Sequence, residues 1–241
     1  MRDMTARFRF LRQVGAPAEA TASVAGAAVR AAALAALLCG ASGAGPATAA
    51  TLTVTVTDER GAPLPGAVVS VTAAGGTHLA PAASLQSAVI DQREEEFVPA
   101  VVAIARGGTV TFRNSDRTRH HIYSFSAIKR FELVQKPDDT SPPLPFPEAG
   151  IAAIGCNIHD HMVAHVYVTD APRAAVTDGA GRAAVADLPA GDLTVTAWHP
   201  RLRARDAPPS LPVRIASAGA SLAVTVAVLP PRRPRAPRDA Y

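Results

Sequence analysis

The sequence predicts an all-β protein, and three observations carry that expectation. Short runs alternate an apolar residue with a polar one, most clearly Val with Thr, the period-two pattern of a strand with one buried face. Glycine and proline number 17 and 21, enough to punctuate many turns. Much of the 48% hydrophobic content is alanine, and aromatic residues are only 5%. Together these point to a β-rich chain built from many short strands.

The first 49 residues read differently. An arginine-bearing start leads to the apolar run Ala31–Leu38 and then to Ala47-Thr48-Ala49, the pattern of a cleaved secretory signal. The run is too short to span a bilayer. Residues 1–49 hold a net charge of +3 out of the formal +4 of the whole chain. The remainder is close to neutral and offers no basis for nucleic-acid binding. Export to the periplasm is therefore expected. Loss of the signal also removes Cys39 and leaves Cys156 as the only thiol, unable to form an internal disulfide in an oxidising compartment.

After the signal, residues 51–57 alternate strictly and predict a strand, followed by a turn-rich connection over 58–66 and a second strand over 67–72. Residues 73–85 are rich in Ala, Gly and Pro and read as a linker. A second group of strands begins near Ser87. It includes a weak candidate at 87–92, a run at 97–104 in which Pro99 suggests an edge or bulge, and alternating stretches at 109–114 and 120–126. The prolines between 136 and 147 demand an extended loop. Residues 150–154 and 164–169 then form the last pair of this group. Beyond Pro172, strands are predicted over 183–187, 193–199 and 222–228, with turns at 177–182 and 188–192. The Pro/Arg-rich tail, 230–241, has the composition of a disordered segment.

The chemistry concentrates in Cys156-Asn157-Ile158-His159-Asp160-His161-Met162. Thiolate, imidazole and thioether are soft or borderline ligands, and Cys-x2-His-x2-Met puts three of them on one loop. A second histidine from elsewhere would complete a His₂Cys set with a weak axial Met, the arrangement suited to copper in electron transfer. His120 and His121 are both candidates. Strand alternation sends them to opposite faces, so only one can reach Cys156.

Residues 97–168 resemble the cupredoxin family, nearest in ligand spacing to its amicyanin and plastocyanin-like members. Two motifs carry the resemblance: Gly108-Thr109-Val110-Thr111-Phe112-Arg113-Asn114 leading to His120, and Cys156-x2-His159-x2-Met162. The text Cys156-Asn157-Ile158-His159-Asp160 is also similar to periplasmic plastocyanin-like proteins labelled methylamine utilization proteins. The resemblance implies a Greek-key β-sandwich over 86–170, one copper ion, and the ligands His120, Cys156, His159 and Met162. It implies an electron carrier rather than an enzyme, with periplasmic redox proteins such as a cytochrome or dehydrogenase as partners and no stable membrane anchor. His121 falls where the family usually has Asn, which leaves the usual hydrogen bond steadying the Cys loop without its side chain.

The flanks, 51–72 and 173–229, resemble a carboxypeptidase-regulatory-like β-sandwich through Asp58-x2-Gly61-x-Pro63-Leu64-Pro65-Gly66 and Asp187-Leu188-Pro189-Ala190-Gly191. Neither flank alone has enough strands for a stable sandwich. The expectation is that the site-bearing sandwich interrupts this second, smaller one. The alternative is a hairpin packed on the first sandwich, followed by a separate C-terminal β-domain.

Other residues have plainer readings. His161 is expected at the mouth of the loop and His165 on the exiting strand, while Trp198-His199 reads as core and strand end. Glu94-Glu95-Glu96 reads as a solvated loop. Two other functions compete with electron transfer: a copper chaperone or store using the same donors, and a β-sandwich binding module with a non-redox metal site such as zinc. The first would be expected to carry a Met-rich or His-rich tract, and only Met162 remains once the signal is removed.

Overall fold

The computed structural model describes residues 49–73, 81–203 and 205–231. The expected signal, except Ala49, and nearly all of the expected Pro/Arg tail lie outside the described residues. Among the described residues there is no α-helix, only a 3₁₀ turn at Ala83–Leu85, and no helix long and apolar enough to cross a membrane. The rest is strand and turn. In chain order the strands are β1 (Ala50–Thr57), β2 (Val68–Ala73), β3 (Ser87–Arg93), β4 (Glu96–Val98), β5 (Val101–Ala105), β6 (Thr109–Asn114), β7 (His120–Ser126) and β8 (Lys129–Gln135). They continue with β9 (Leu144–Pro145), β10 (Gly150–Cys156), β11 (Val163–Thr169), β12 (Arg173–Val176), β13 (Arg182–Leu188), β14 (Gly191–Trp198), β15 (Ser210–Ile215) and β16 (Ala220–Thr225).

These strands make four sheets, and the sheets make two sandwiches. One sandwich faces a five-stranded sheet, β5-β11-β10-β7-β8, against a four-stranded sheet, β4-β3-β6-β9. Its core contains Ile90, Phe112, Ile122, Phe146, Ile154 and Val166, and Cys156 and Met162 belong to the same cluster. The other sandwich faces β13-β1-β16 against β12-β2-β14-β15. Here the Val/Thr alternation of β1 does what it predicts: Leu52, Val54 and Val56 are fully buried while Thr51 and Thr53 face solvent. Each such aliphatic side chain contributes about 1.5–3 kcal/mol on burial.

Strand pairing links the two flanks of the chain. β1 pairs antiparallel with β13 and parallel with β16, and β2 pairs antiparallel with β12 and β14. Neither β1 nor β2 pairs with any strand from β3 to β11. The two sandwiches meet where Val68 and Trp198 pack on Val101 and Tyr167.

The structure corrects one strand and adds others. Residues 97–104 do not form one strand. The chain leaves the four-stranded sheet after Val98 and enters the five-stranded sheet at Val101, because Pro99 lacks the N–H that a continuing ladder would need. β8, β12 and β15 carry weak alternation or a proline and were not legible as strands. Of the predicted linker, residues 74–80 lie outside the described residues.

Candidate metal centre

The site grows out of the inner face of the five-stranded sheet. Along β7, His120, Ile122 and Ser124 point inward, and along β10 Ala152, Ile154 and Cys156 do the same. Cys156 stands opposite Ile122 in the ladder, so His120, two residues earlier on β7, is its diagonal neighbour on the same face. His120 Nδ1 lies 3.8 Å from Cys156 Sγ, with both residues buried. The ladder continues one step past the strand end, where Asn157 donates its N–H to the His121 carbonyl oxygen at 3.1 Å. This backbone bond ties the Cys loop to the strand of His120. It needs no particular side chain at 121.

The loop after Cys156 then folds back. Met162 donates its N–H to the His159 carbonyl oxygen at 3.0 Å, closing a turn that returns the chain to the core. His159 is brought beside His120, ring centroids 5.1 Å apart at 62°. One ligand atom from each of His120, Cys156 and His159 lies within 4.8 Å of the other two. Met162 is only 1% exposed and packs in the same core cluster as Cys156. His121 faces the other way, half-buried, its Nε2 3.6 Å from Glu132. His161 is exposed at the loop, and His165 on β11 is turned to the sandwich junction rather than to the cluster.

Each cluster histidine has one nitrogen toward a carboxylate and one toward the interior. His120 Nε2 is 2.8 Å from Asp116 Oδ2. An ionised carboxylate can only accept, so His120 donates from Nε2, and in the neutral ring Nδ1 is then a lone pair facing Cys156. His159 Nε2 lies 3.6 Å from Glu95 Oε1, and its Nδ1 is buried with no hydrogen-bond partner. A buried polar atom without a partner is costly unless something outside the protein completes it. Two imidazole nitrogens, a buried thiol and a buried thioether nearby form a donor set that fits a soft or borderline metal ion.

Asp116 and Asn114 are what sequence reading did not place. Asn114 is fully buried at the end of β6, donates Nδ2 to the carbonyl oxygens of Thr118 and Lys136, and accepts the Asp116 N–H on Oδ1. It braces the loop that delivers His120. Burial pushes the Asp116 carboxyl upward, but hydrogen bonds from His120 and from the Glu95 and Glu94 amides outweigh it and hold the group below the usual carboxylate range. The only hint in the sequence was the four-residue spacing from Asp116 to His120. The Glu94–Glu96 run, expected as a solvated loop, is solvent-exposed; Glu94 and Glu95 form the tight turn before β4, and Glu95 also approaches His159.

No family model and no curated protein matches the chain. Among solved structures it is similar to a purple cupredoxin from Nitrosopumilus maritimus, with 25% identity over 34% of this chain and 99% of that one and a TM-score of 0.31. It is also similar to mutants of amicyanin. One in its Cu(I) form is 20% identical over 42% of this chain and 99% of that one, TM-score 0.32. Another Cu(I) mutant is 18% identical over 42% and 98%, TM-score 0.31.

Proposed function

We propose that this protein is a periplasmic type 1 copper protein that carries single electrons between redox partners and transforms no substrate itself. The observation that carries the reading is the orphaned Nδ1 of His159 in a cluster with Cys156 and His120. His120, Cys156 and His159 would hold the ion, with the Met162 thioether as a further, weaker donor. Copper there supplies a one-electron couple whose potential the ligands set. The sheet fixes His120 and Cys156 on adjacent strands before metal arrives, so little rearrangement is needed between oxidation states. The apolar core around Cys156 excludes water and favours a closed site over one open to substrate.

The partners in this reading are periplasmic redox proteins such as a cytochrome or dehydrogenase. Residues 1–49 act as the export signal. The flanking segments 51–72 and 173–229 form the host sandwich into which the site-bearing sandwich, 86–170, is inserted.

The test is a visible absorption spectrum during titration with Cu(II), for the wild type and for Cys156→Ser. The expected result is an intense charge-transfer band that bleaches on reduction and is absent in the variant. Tight copper binding without that band would turn the reading to a chaperone or store and end the electron-carrier assignment.

A further inference from the structure

A single carboxylate, Asp116, touches the supports of both histidines. Besides accepting from His120 Nε2, it accepts the backbone N–H of Glu94 on Oδ1 at 2.6 Å and of Glu95 on Oδ2 at 3.1 Å. Glu94 and Glu95 are the two-residue turn between β3 and β4, and both have positive φ, 54° and 58°. Two-residue hairpins of this kind normally place Asn-Gly here, because a side chain disfavours that backbone region. Two consecutive glutamates break the local rule, and such breaks concentrate at functional sites. The grip of Asp116 on both amides holds the turn, and the turn sets Glu95 Oε1 3.6 Å from His159 Nε2.

We infer that Asp116 and Glu95 are positioning residues of the His120–Cys156–His159 centre. Asp116 locks the His120 ring with Nδ1 toward Cys156, and through the Glu94–Glu95 turn it stations Glu95 against the outer nitrogen of His159. Carboxylates in this position orient a ligating imidazole and raise its basicity, and losing one typically costs about 10- to 100-fold in metal affinity. The inference rests on the copper reading only for the identity of the ion. The hydrogen-bond geometry stands without it.

The test uses the full chain in three forms: wild type, Asp116→Asn and Glu95→Gly. Long-range ¹⁵N NMR of the metal-free protein reads the imidazole tautomers, competition titrations read Cu(II) and Co(II) affinity, and melting reads the fold. Wild type is expected to show His120 with its proton on Nε2. Asp116→Asn is expected to mix the tautomers and lose about 10- to 100-fold in affinity for both ions. Glu95→Gly removes the carboxylate while relieving the turn, since glycine suits positive φ. It is expected to melt at the same temperature or higher and yet bind about tenfold more weakly. That opposition is a signature a merely structural role would not give. If Asp116→Asn does not fold, Glu95→Gly decides alone. Affinity unchanged in Glu95→Gly, or falling only in step with its melting temperature, overturns the inference. A wild type that binds Co(II) but shows no blue band, with the variant effects intact, would sink the electron-carrier reading and leave the positioning roles standing.

Discussion

His165 of β11 stands against Trp198 of β14, ring centroids 5.9 Å apart at 61°, so the strand leaving the Cys156–Met162 loop is clamped by the flanking sandwich. Tyr167, two residues on, meets the same indole at 5.3 Å. The clamp puts imidazoles in a poorly solvated place. Burial holds the His165 pKa below its ordinary 6.5. The same is true of His199, where burial acts first, the Arg201 and His165 charges add to it, and a bond to the Pro65 carbonyl opposes it.

The sign of the pH dependence follows. Both histidines take up protons less readily in the fold than in the unfolded chain, which protonates near pH 6.5, so the unfolded state binds more protons as pH falls below that value. Their contribution is fully present above about pH 6.5 and is lost as pH falls from there. Each kcal/mol lost should lower Tm by about 2–4 °C in a chain of this size. Trp198 is the only tryptophan, so its fluorescence reports this junction directly. His165→Phe should flatten the melting temperature between pH 6.5 and 5; an unchanged slope would remove His165 from the account.

A different acid response is expected of Asp91. Its burial favours the neutral form, but hydrogen bonds from Arg113 at 2.6 Å and Ser115 at 2.9 Å prevail and hold its pKa below the ordinary 3.8. This depressed carboxylate contributes stability above pH 3.8 that disappears as pH falls through its lower folded value. Asp91→Asn should therefore melt a few degrees below wild type at neutral pH, and the two curves should converge in acid. Parallel curves down to pH 2 would show that the pair does not titrate with folding.

The two adjacent histidines should separate cleanly. His120 is buried 3.8 Å from the Cys156 sulfur, whereas His121 lies on the opposite face beside Glu132. Removing a ligand from a closed site destroys binding, and removing a half-exposed neighbour does not. His120→Ala is expected to lose metal binding by more than about 100-fold, and His121→Ala to stay within a few fold of wild type. Comparable losses in both would mean that the ring facing the ion was misassigned.

Much of this candidate site was legible in the sequence, because the donor residues that come together lie close in sequence or at strand positions whose facing follows from alternation. Cys156, His159 and Met162 share one loop, and period two forces His120 and His121 apart. The four-residue Asp116–His120 relation is equally local but carries no pattern that distinguishes it from any polar loop. Glu95 was beyond reach for a stronger reason. Its approach to His159 depends on β3 lying beside β6, a parallel pairing that no local run encodes. The same holds for β1, whose alternation declares a strand but not that its partners, β13 and β16, come more than a hundred residues later. β8 and β15 went unread because Lys129-Arg130-Phe131-Glu132 and a strand containing Pro212 look like solvated edge segments, which is where they lie in their sheets.

The turn at 178–181 offers a paired test of how tightly the flanking sandwich is built. Gly181 has φ +70°, and a Cβ there would stand 2.5 Å from the Val56 carbonyl oxygen and 3.0 Å from the Leu64 nitrogen. Those two atoms are themselves hydrogen-bonded at 3.0 Å, and Val56 donates its N–H to the Gly181 carbonyl at 2.7 Å. A methyl group cannot enter without parting backbone from backbone where β1 leaves the core. Gly181→Ala should cost about 2–4 kcal/mol, from the crowding and the left-handed conformation together. Gly179, two residues earlier in the same turn, has nothing within 4 Å of its Cβ position. Gly179→Ala should stay within about 0.5 kcal/mol of wild type. Denaturant melts of the two variants give the comparison. Equal midpoints would mean that the turn is free to move away from β1 and that its close approach is not part of what holds the sandwich together.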